Sequence, residues 1–183
     1  FNMPKSDFLL QWTSAWNIDP APFAMMTDAM QRTFSPYQTN PMNLNPLRDL
    51  VARLIDVNAI RACERIKLFV SATNVETGRV RVFERHELTV DVLMASSCLP
   101  FNFQAVMIDK TPYWDGGYVG NPAIFPLIYN CQSPDVLLVQ INPLFRAGTP
   151  DTSAEIIDRL NEINFNAALI SEMRAISFVQ KLV

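Results

Sequence analysis

Tyr113-Trp-Asp-Gly-Gly-Tyr-Val-Gly120 is the stretch on which the reading of this chain turns. It places a carboxylate, Asp115, where a β-rich run gives way to Gly116 and Gly117. Successive glycines permit a tight turn with positive φ and leave no side chains to block access to the acid. An acid at the carboxyl end of a strand in an α/β sheet stands where such folds bind their ligands. Asp-Gly-Gly is also a common turn, so its surroundings must decide what it does.

Working outward, Gln104 to Ile108 and Thr111 to Trp114 read as a hairpin about Asp109-Lys110. Thr89 can cap a helix carrying Val90, Leu93 and Met94, and Ala95-Ser-Ser-Cys-Leu-Pro100 ends it, because the residue before proline is pushed out of the helical region. Lys67-Leu-Phe-Val-Ser-Ala-Thr73 is a short apolar strand, followed by the turn Asn74-Val-Glu-Thr-Gly78 and the alternating run Arg79-Val-Arg-Val-Phe-Glu84. Before that hairpin, Leu47, Leu50, Val51, Leu54 and Ile55 share one face of a helix beginning at Pro46. Beyond Asp115, Asn121-Pro122 opens a helix toward Tyr129, and Val136-Leu-Leu-Val-Gln-Ile141 reads as an interior strand. Two helices, about Ser153 to Leu160 and Ile163 to Leu182, follow. The opening stretch is rich in Pro, Asn, Met and aromatics, with one short helix expected over Ser6 to Trp16. It resembles an excursion over a core.

Helices alternating with apolar strands give an α/β class with a largely parallel sheet covered on both faces, made mixed by the hairpins. The 183 residues suit one domain. Within it, residues 1–45 form an irregular, cap-like segment, 46–145 the core that carries Asp115, and 151–183 the C-terminal helices.

A net charge of −3 argues against a nucleic-acid partner, which calls for a basic face. Arg79, Arg81 and Arg85 are interleaved with Glu76, Glu84 and Glu87, the pattern of a solvated strand pair. Cys63, Cys98 and Cys131 are odd in number and lack a Cys-x-x-Cys pair, so they read as free thiols with neither a disulfide framework nor a metal site. No run of about 18 apolar residues suggests a membrane-spanning helix, so contact with lipid is expected to be peripheral.

Three separated blocks resemble the patatin-like phospholipase family in order and approximate spacing. They are Asn40-Pro-Met-Asn-Leu-Asn-Pro-Leu-Arg48, then Ser71-Ala-Thr73 leading to Ala95-Ser-Ser-Cys-Leu-Pro100, then Asp115-Gly-Gly117 with Asn121-Pro122 behind it. The resemblance spans roughly residues 36–142. It implies a three-layer α/β domain, a lipid or ester substrate, no metal or organic cofactor, and for Asp115 the role of catalytic partner to a serine.

A Ser-Asp dyad needs no histidine if the aspartate reaches the serine hydroxyl in a water-poor pocket. The only histidine, His86, falls in the charged turn Glu84-Arg-His-Glu87, which disfavours a Ser-His-Asp triad. The family's other signatures are a glycine-rich oxyanion loop and a Gly-x-Ser-x-Gly nucleophile elbow. Neither occurs among the five glycines here, and the one pair at elbow spacing, Gly116 and Gly120, flanks Tyr118. Ser71, Ser96 and Ser97 lack the glycine setting of an elbow, and Ser96 and Ser97 are expected to close a helix. The domain is therefore expected to be incomplete at its N-terminus, with the nucleophile on a segment outside these residues.

Leu99, Pro100, Phe101 and Trp114 are expected on the substrate side, with Gly116 and Gly117 supporting the turn. Phe101, Phe103, Tyr113 and Trp114 serve equally well as an acyl channel or as core packing. Lys110 stands where the family often has glycine, which touches the shape of one turn. Two rival functions stay open: acyl transfer to an acceptor other than water, and lipid binding or protein interaction without catalysis.

Overall fold

Two hairpins with a helix between them supply all four strands found among the described residues. The computed structural model describes residues 33–133 and 135–182; the expected Ser6–Trp16 helix lies outside them. Within the described residues two compact units form, residues 33–44 with Phe101–Gln104, and Asn45–Pro100 with the residues from Ala105 onward. The first holds a short helix, α1 (Pro36–Thr39), entered through a Ser35 and Gln38 capping box, and its Gln104 side chain donates to the Asn40 carbonyl at 2.7 Å.

The second unit begins with α2 (Pro46–Leu54), whose first turn is capped by the Asn45 side chain accepting from Leu47 and Arg48 N–H groups. α3 (Val57–Ala62) follows directly, capped by Asp56; the sequence reading did not anticipate it. β1 (Phe69–Asn74) and β2 (Val80–Glu84) then form the first expected hairpin. Asn74 Oδ1 accepts from Thr77 N–H at 2.9 Å inside the turn, and Gly78 takes φ 64 to complete it. α4 (Val90–Ala95) starts at Thr89, whose hydroxyl accepts from Val92 N–H. β3 (Val106–Ile108) and β4 (Thr111–Asp115) make the second hairpin. α5 (Phe125–Asn130) and the long α6 (Ser153–Leu182) close the order.

The sheet runs β2-β1-β4-β3, and all three pairings are antiparallel. This corrects the expectation of a largely parallel sheet among the described residues. Parallel pairing requires each strand to be followed by a crossover, whereas here the repeating unit is the hairpin. The content remains α/β. One face of the sheet is covered by α4, where Ala72, Phe83, Leu88, Val92, Ala95 and Tyr113 form the core. Phe83 and Tyr113 meet edge to face at 5.5 Å. Leu88 and Val92 are fully buried, each worth about 1.5–3 kcal/mol of transfer free energy.

Two further expectations change. Residues 136–141 form no strand; Leu137 is 91% and Val139 79% exposed. An apolar run without alternation is stable only between two strands, and this four-stranded sheet takes it at neither edge. The two C-terminal helices are one, since no Gly or Pro between Ser153 and Leu182 interrupts the ladder.

Asp109 and Lys110 turn the second hairpin with φ 49 and 67, the left-handed pair that a two-residue turn needs. A side chain at such a position is strained by about 1–2 kcal/mol. Lys110→Gly should therefore stabilise the protein by up to about 1 kcal/mol in thermal or urea denaturation; a lower midpoint would contradict this account of the turn.

Candidate active site

Asp115 is held by three different parts of the chain. As the last residue of β4 it pairs with Ala72 of β1. Its N–H donates to the Cys98 carbonyl at 2.9 Å, and its carbonyl accepts from Thr73 Oγ1 at 2.7 Å. Both backbone groups are thereby committed, one to the segment after α4 and the other to β1. Its side chain turns forward, where Oδ1 accepts from Gly117 N–H at 2.7 Å and caps a single 3-10 turn, Gly116–Tyr118.

The two glycines are needed for a reason other than the one expected. Neither is among the glycines with positive φ, which are Gly78 and Gly148. They are needed for close approach. A β-carbon on Gly116 would overlap the Ser71 carbonyl and lie 2.5 Å from Ser71 Oγ, so the turn sits directly on the β1 backbone. A β-carbon on Gly117 would overlap the ring edge of Phe165, 2.7 Å from Cδ1, and would lie 3.1 Å from Asp115 Oδ1.

The carboxyl is half-buried, and burial pushes its pKa above the usual carboxylate value against the opposing pull of the Gly117 N–H. Cys98 is buried, and desolvation raises its thiol to about 11, with the Asp115 charge adding to the rise. The Tyr118 phenol is raised by burial and then by the Asp115 and Cys98 charges. Near neutral pH both neighbours are therefore neutral. A thiol so buried and so weakly acidic is a poor nucleophile.

The other sequence candidates fall in separate places. Leu99 is exposed and Pro100 half-buried, next to the Cys98 carbonyl that holds Asp115. Trp114 precedes Asp115 on β4, so strand alternation sends its side chain to the opposite face, while Tyr113 belongs to the core. Phe101 belongs to the other compact unit and is 73% exposed. Ser71 donates to the Gly120 carbonyl at 3.4 Å, and Ser96 Oγ donates back to Leu93 at 2.9 Å where α4 ends. The His86 side chain is 71% exposed, 3.6 Å from Glu84. Phe165 and Tyr118, which flank the turn, were missed by the sequence reading. The signal that something must pack on Gly117 was present, but nothing in the sequence named a partner 48 residues away.

An open cleft of about 440 Å³ bordered by Arg53, Ile55, Asp56, Asn58 and Val90 shares none of the residues around Asp115. Among the described residues no helix is long and apolar enough to cross a membrane, and no group of three or more His, Cys, Asp or Glu is placed to hold a metal ion.

Gly116→Ala should destabilise the protein by about 2 kcal/mol or more, since the new methyl meets backbone that cannot move without breaking the β1–β4 ladder. Chemical denaturation reads this directly, and a variant as stable as the parent would contradict the close approach.

No curated protein sequence and no solved structure matches the chain. The family model for patatin-like phospholipase matches residues 4–128, more than half of the sequence and a span that includes the Asp-Gly-Gly turn. With that match laid over a half-buried carboxyl seated on β1, the chain belongs to the patatin-like phospholipase family, a family of lipid acyl hydrolases.

Proposed function

We propose that Asp115 is the general base of a Ser-Asp dyad that hydrolyses carboxylic esters of lipids, with the serine supplied by a Gly-x-Ser-x-Gly segment outside these 183 residues. The observation that carries the reading is the Asp115 carboxyl itself. It is fixed by the Gly117 N–H and desolvated enough for its pKa to rise, and it has no cationic partner among the described residues. A base for a serine hydroxyl works best with a pKa drawn toward the working pH, and a carboxylate in a water-poor site is drawn that way. The serine would attack the ester carbonyl as its proton passes to Asp115, which would hand that proton to the departing alcohol; the ionised Asp115 would then deprotonate a water that releases the acyl group as a free acid and restores the serine hydroxyl.

Residues 136–141 are an exposed apolar run. Such a run is ordinarily buried between strands. The substrate is read as a lipid ester, met at a membrane or micelle surface. Leu99 and Pro100, beside the Cys98 carbonyl that anchors Asp115, are proposed to face it. No metal or organic cofactor enters the scheme, and neither does nucleic acid.

A second reading, lipid binding without catalysis, is favoured by one specific observation: the sequence holds no nucleophile elbow. Function belongs to the site, and the fold is compatible with either.

Asp115→Asn in the protein that joins this chain to its serine-bearing segment should lower ester hydrolysis by roughly 10²–10⁴-fold. Folding should be unchanged, because the asparagine Oδ1 still accepts from Gly117 N–H. Retained hydrolysis would overturn the dyad. In the parent enzyme kcat/KM should rise with pH as Asp115 ionises, with its midpoint above the ordinary carboxylate value of 3.8. A midpoint at or below that value would contradict the desolvated base.

A further inference from the structure

We propose that α6 is part of the site: Phe165 fills the space Gly117 leaves open and, with Tyr118, forms an apolar wall that positions the Asp115 carboxyl. The proposal rests on the reading of Asp115 as the base. Its first support is the Gly117 contact. The Phe165 ring edge and Asp115 Oδ1 approach the same point, the position a Gly117 β-carbon would occupy. Ring and carboxyl are thus separated by no more than the sum of two short contacts. Phe165 also packs on Tyr118, ring centroids 5.2 Å apart at 43°.

The second support is the way α6 is fastened. Phe165, Leu169 and Glu172 recur at helical spacing on one face. Leu169 is 4% exposed. The Phe165 carbonyl accepts from Asn121 Nδ2 at 3.3 Å, and Glu172 Oε2 accepts from Ile124 N–H at 2.8 Å. These two bonds tie α6 to the segment leaving the Asp-Gly-Gly turn. Next to Phe165, the buried Asn166 accepts from Gln140 Nε2 at 2.8 Å and donates to the Pro143 carbonyl at 3.1 Å. The helix is therefore held along two turns, with the Phe165 ring pressed between Gly117 and Tyr118. All of α6 lies beyond residue 128, where the family match ends, whereas Tyr118 lies within it.

An aromatic edge offers a carboxylate no hydrogen bond. Pressed on Gly117, it keeps that N–H aimed at Oδ1 and excludes water from one side, leaving the remaining acceptor positions for the serine hydroxyl. Among the described residues the ionisable groups that feel the Asp115 charge are Cys98 and Tyr118, both neutral near pH 7, so the wall's effect on Asp115 can be read without a competing charge from them.

The test is a double-variant comparison in the full-length protein, combined with carboxyl 13C NMR titration of Asp115, its signal assigned with Asp115→Asn. Gly117→Ala and Phe165→Ala should each lower the melting midpoint. The double variant should melt higher than the two separate losses predict, because the alanine methyl enters the space the ring vacated. In Phe165→Ala the Asp115 titration should fall toward the ordinary carboxylate value of about 4, whereas Phe165→Leu should keep it raised. Leu169→Ala, which weakens α6 away from the ring, should lower the midpoint without moving that titration.

Strictly additive losses would overturn the proposal. So would an unmoved Asp115 titration in folded Phe165→Ala, or a shift in Leu169→Ala as large as in Phe165→Ala. If Phe165→Ala does not fold, Phe165→Val with and without Gly117→Ala gives the same comparison and the same titration, since valine is too short to reach the space beside Gly117. These readouts need no catalysis. A positive cycle with an active Asp115→Asn enzyme would refute the base and leave the Phe165 wall standing; an additive cycle with an inactive Asp115→Asn enzyme would refute the wall alone.

Discussion

The seating of the Asp115-Gly116-Gly117 turn on the backbone of β1 is the constraint from which the rest of the site follows. Gly116 approaches the Ser71 carbonyl so closely that no side chain fits between them, and Thr73 reaches across to the Asp115 carbonyl. With Cys98 accepting from the Asp115 N–H, the residue has no backbone freedom left to spend. Only the carboxyl remains adjustable, and the Gly117 N–H fixes it. The hairpins and α4 can be understood as the apparatus that brings β1, β4 and the end of α4 to one place. The core of Ala72, Phe83, Leu88, Val92 and Tyr113 supplies the apolar burial that keeps them there.

That arrangement has an electrostatic consequence. A half-buried carboxyl beside backbone, a neutral thiol, a phenol and an aromatic edge loses hydration without gaining a cation from the described residues, so its ionised form is disfavoured and its proton affinity rises. The single N–H from Gly117 offsets part of that cost. For a structural residue this would be a poor exchange, because an asparagine would make the same hydrogen bond without the desolvation penalty. An aspartate kept under these conditions makes physical sense when its proton is in use.

Much of this was legible in the sequence where the determinants are local. The β1–β2 and β3–β4 hairpins followed from turn residues and alternation, and the start of α4 followed from Thr89. Asp115 stood out because a strand ending in Asp-Gly-Gly is a local pattern, and the family resemblance rested on blocks that can be quoted. What failed was non-local. Strand direction depends on which strands neighbour which, and residues 136–141 look like an interior strand whether or not a ladder accepts them. The glycines misled in another way. A glycine used for positive φ and one used for close approach are identical in sequence, and only the neighbours at Ser71 and Phe165 distinguish them. The docking of α6 was invisible for the same reason.

The central claim is that a serine outside these residues is partnered by Asp115. Denaturing mass spectrometry of the purified natural protein after treatment with a fluorophosphonate serine probe tests it most directly. The account predicts a single adduct on a Gly-x-Ser-x-Gly serine lying outside residues 1–183, with labelling strongly slowed in Asp115→Asn. No adduct beside an active control hydrolase, or an adduct on a serine within these 183 residues, would contradict it.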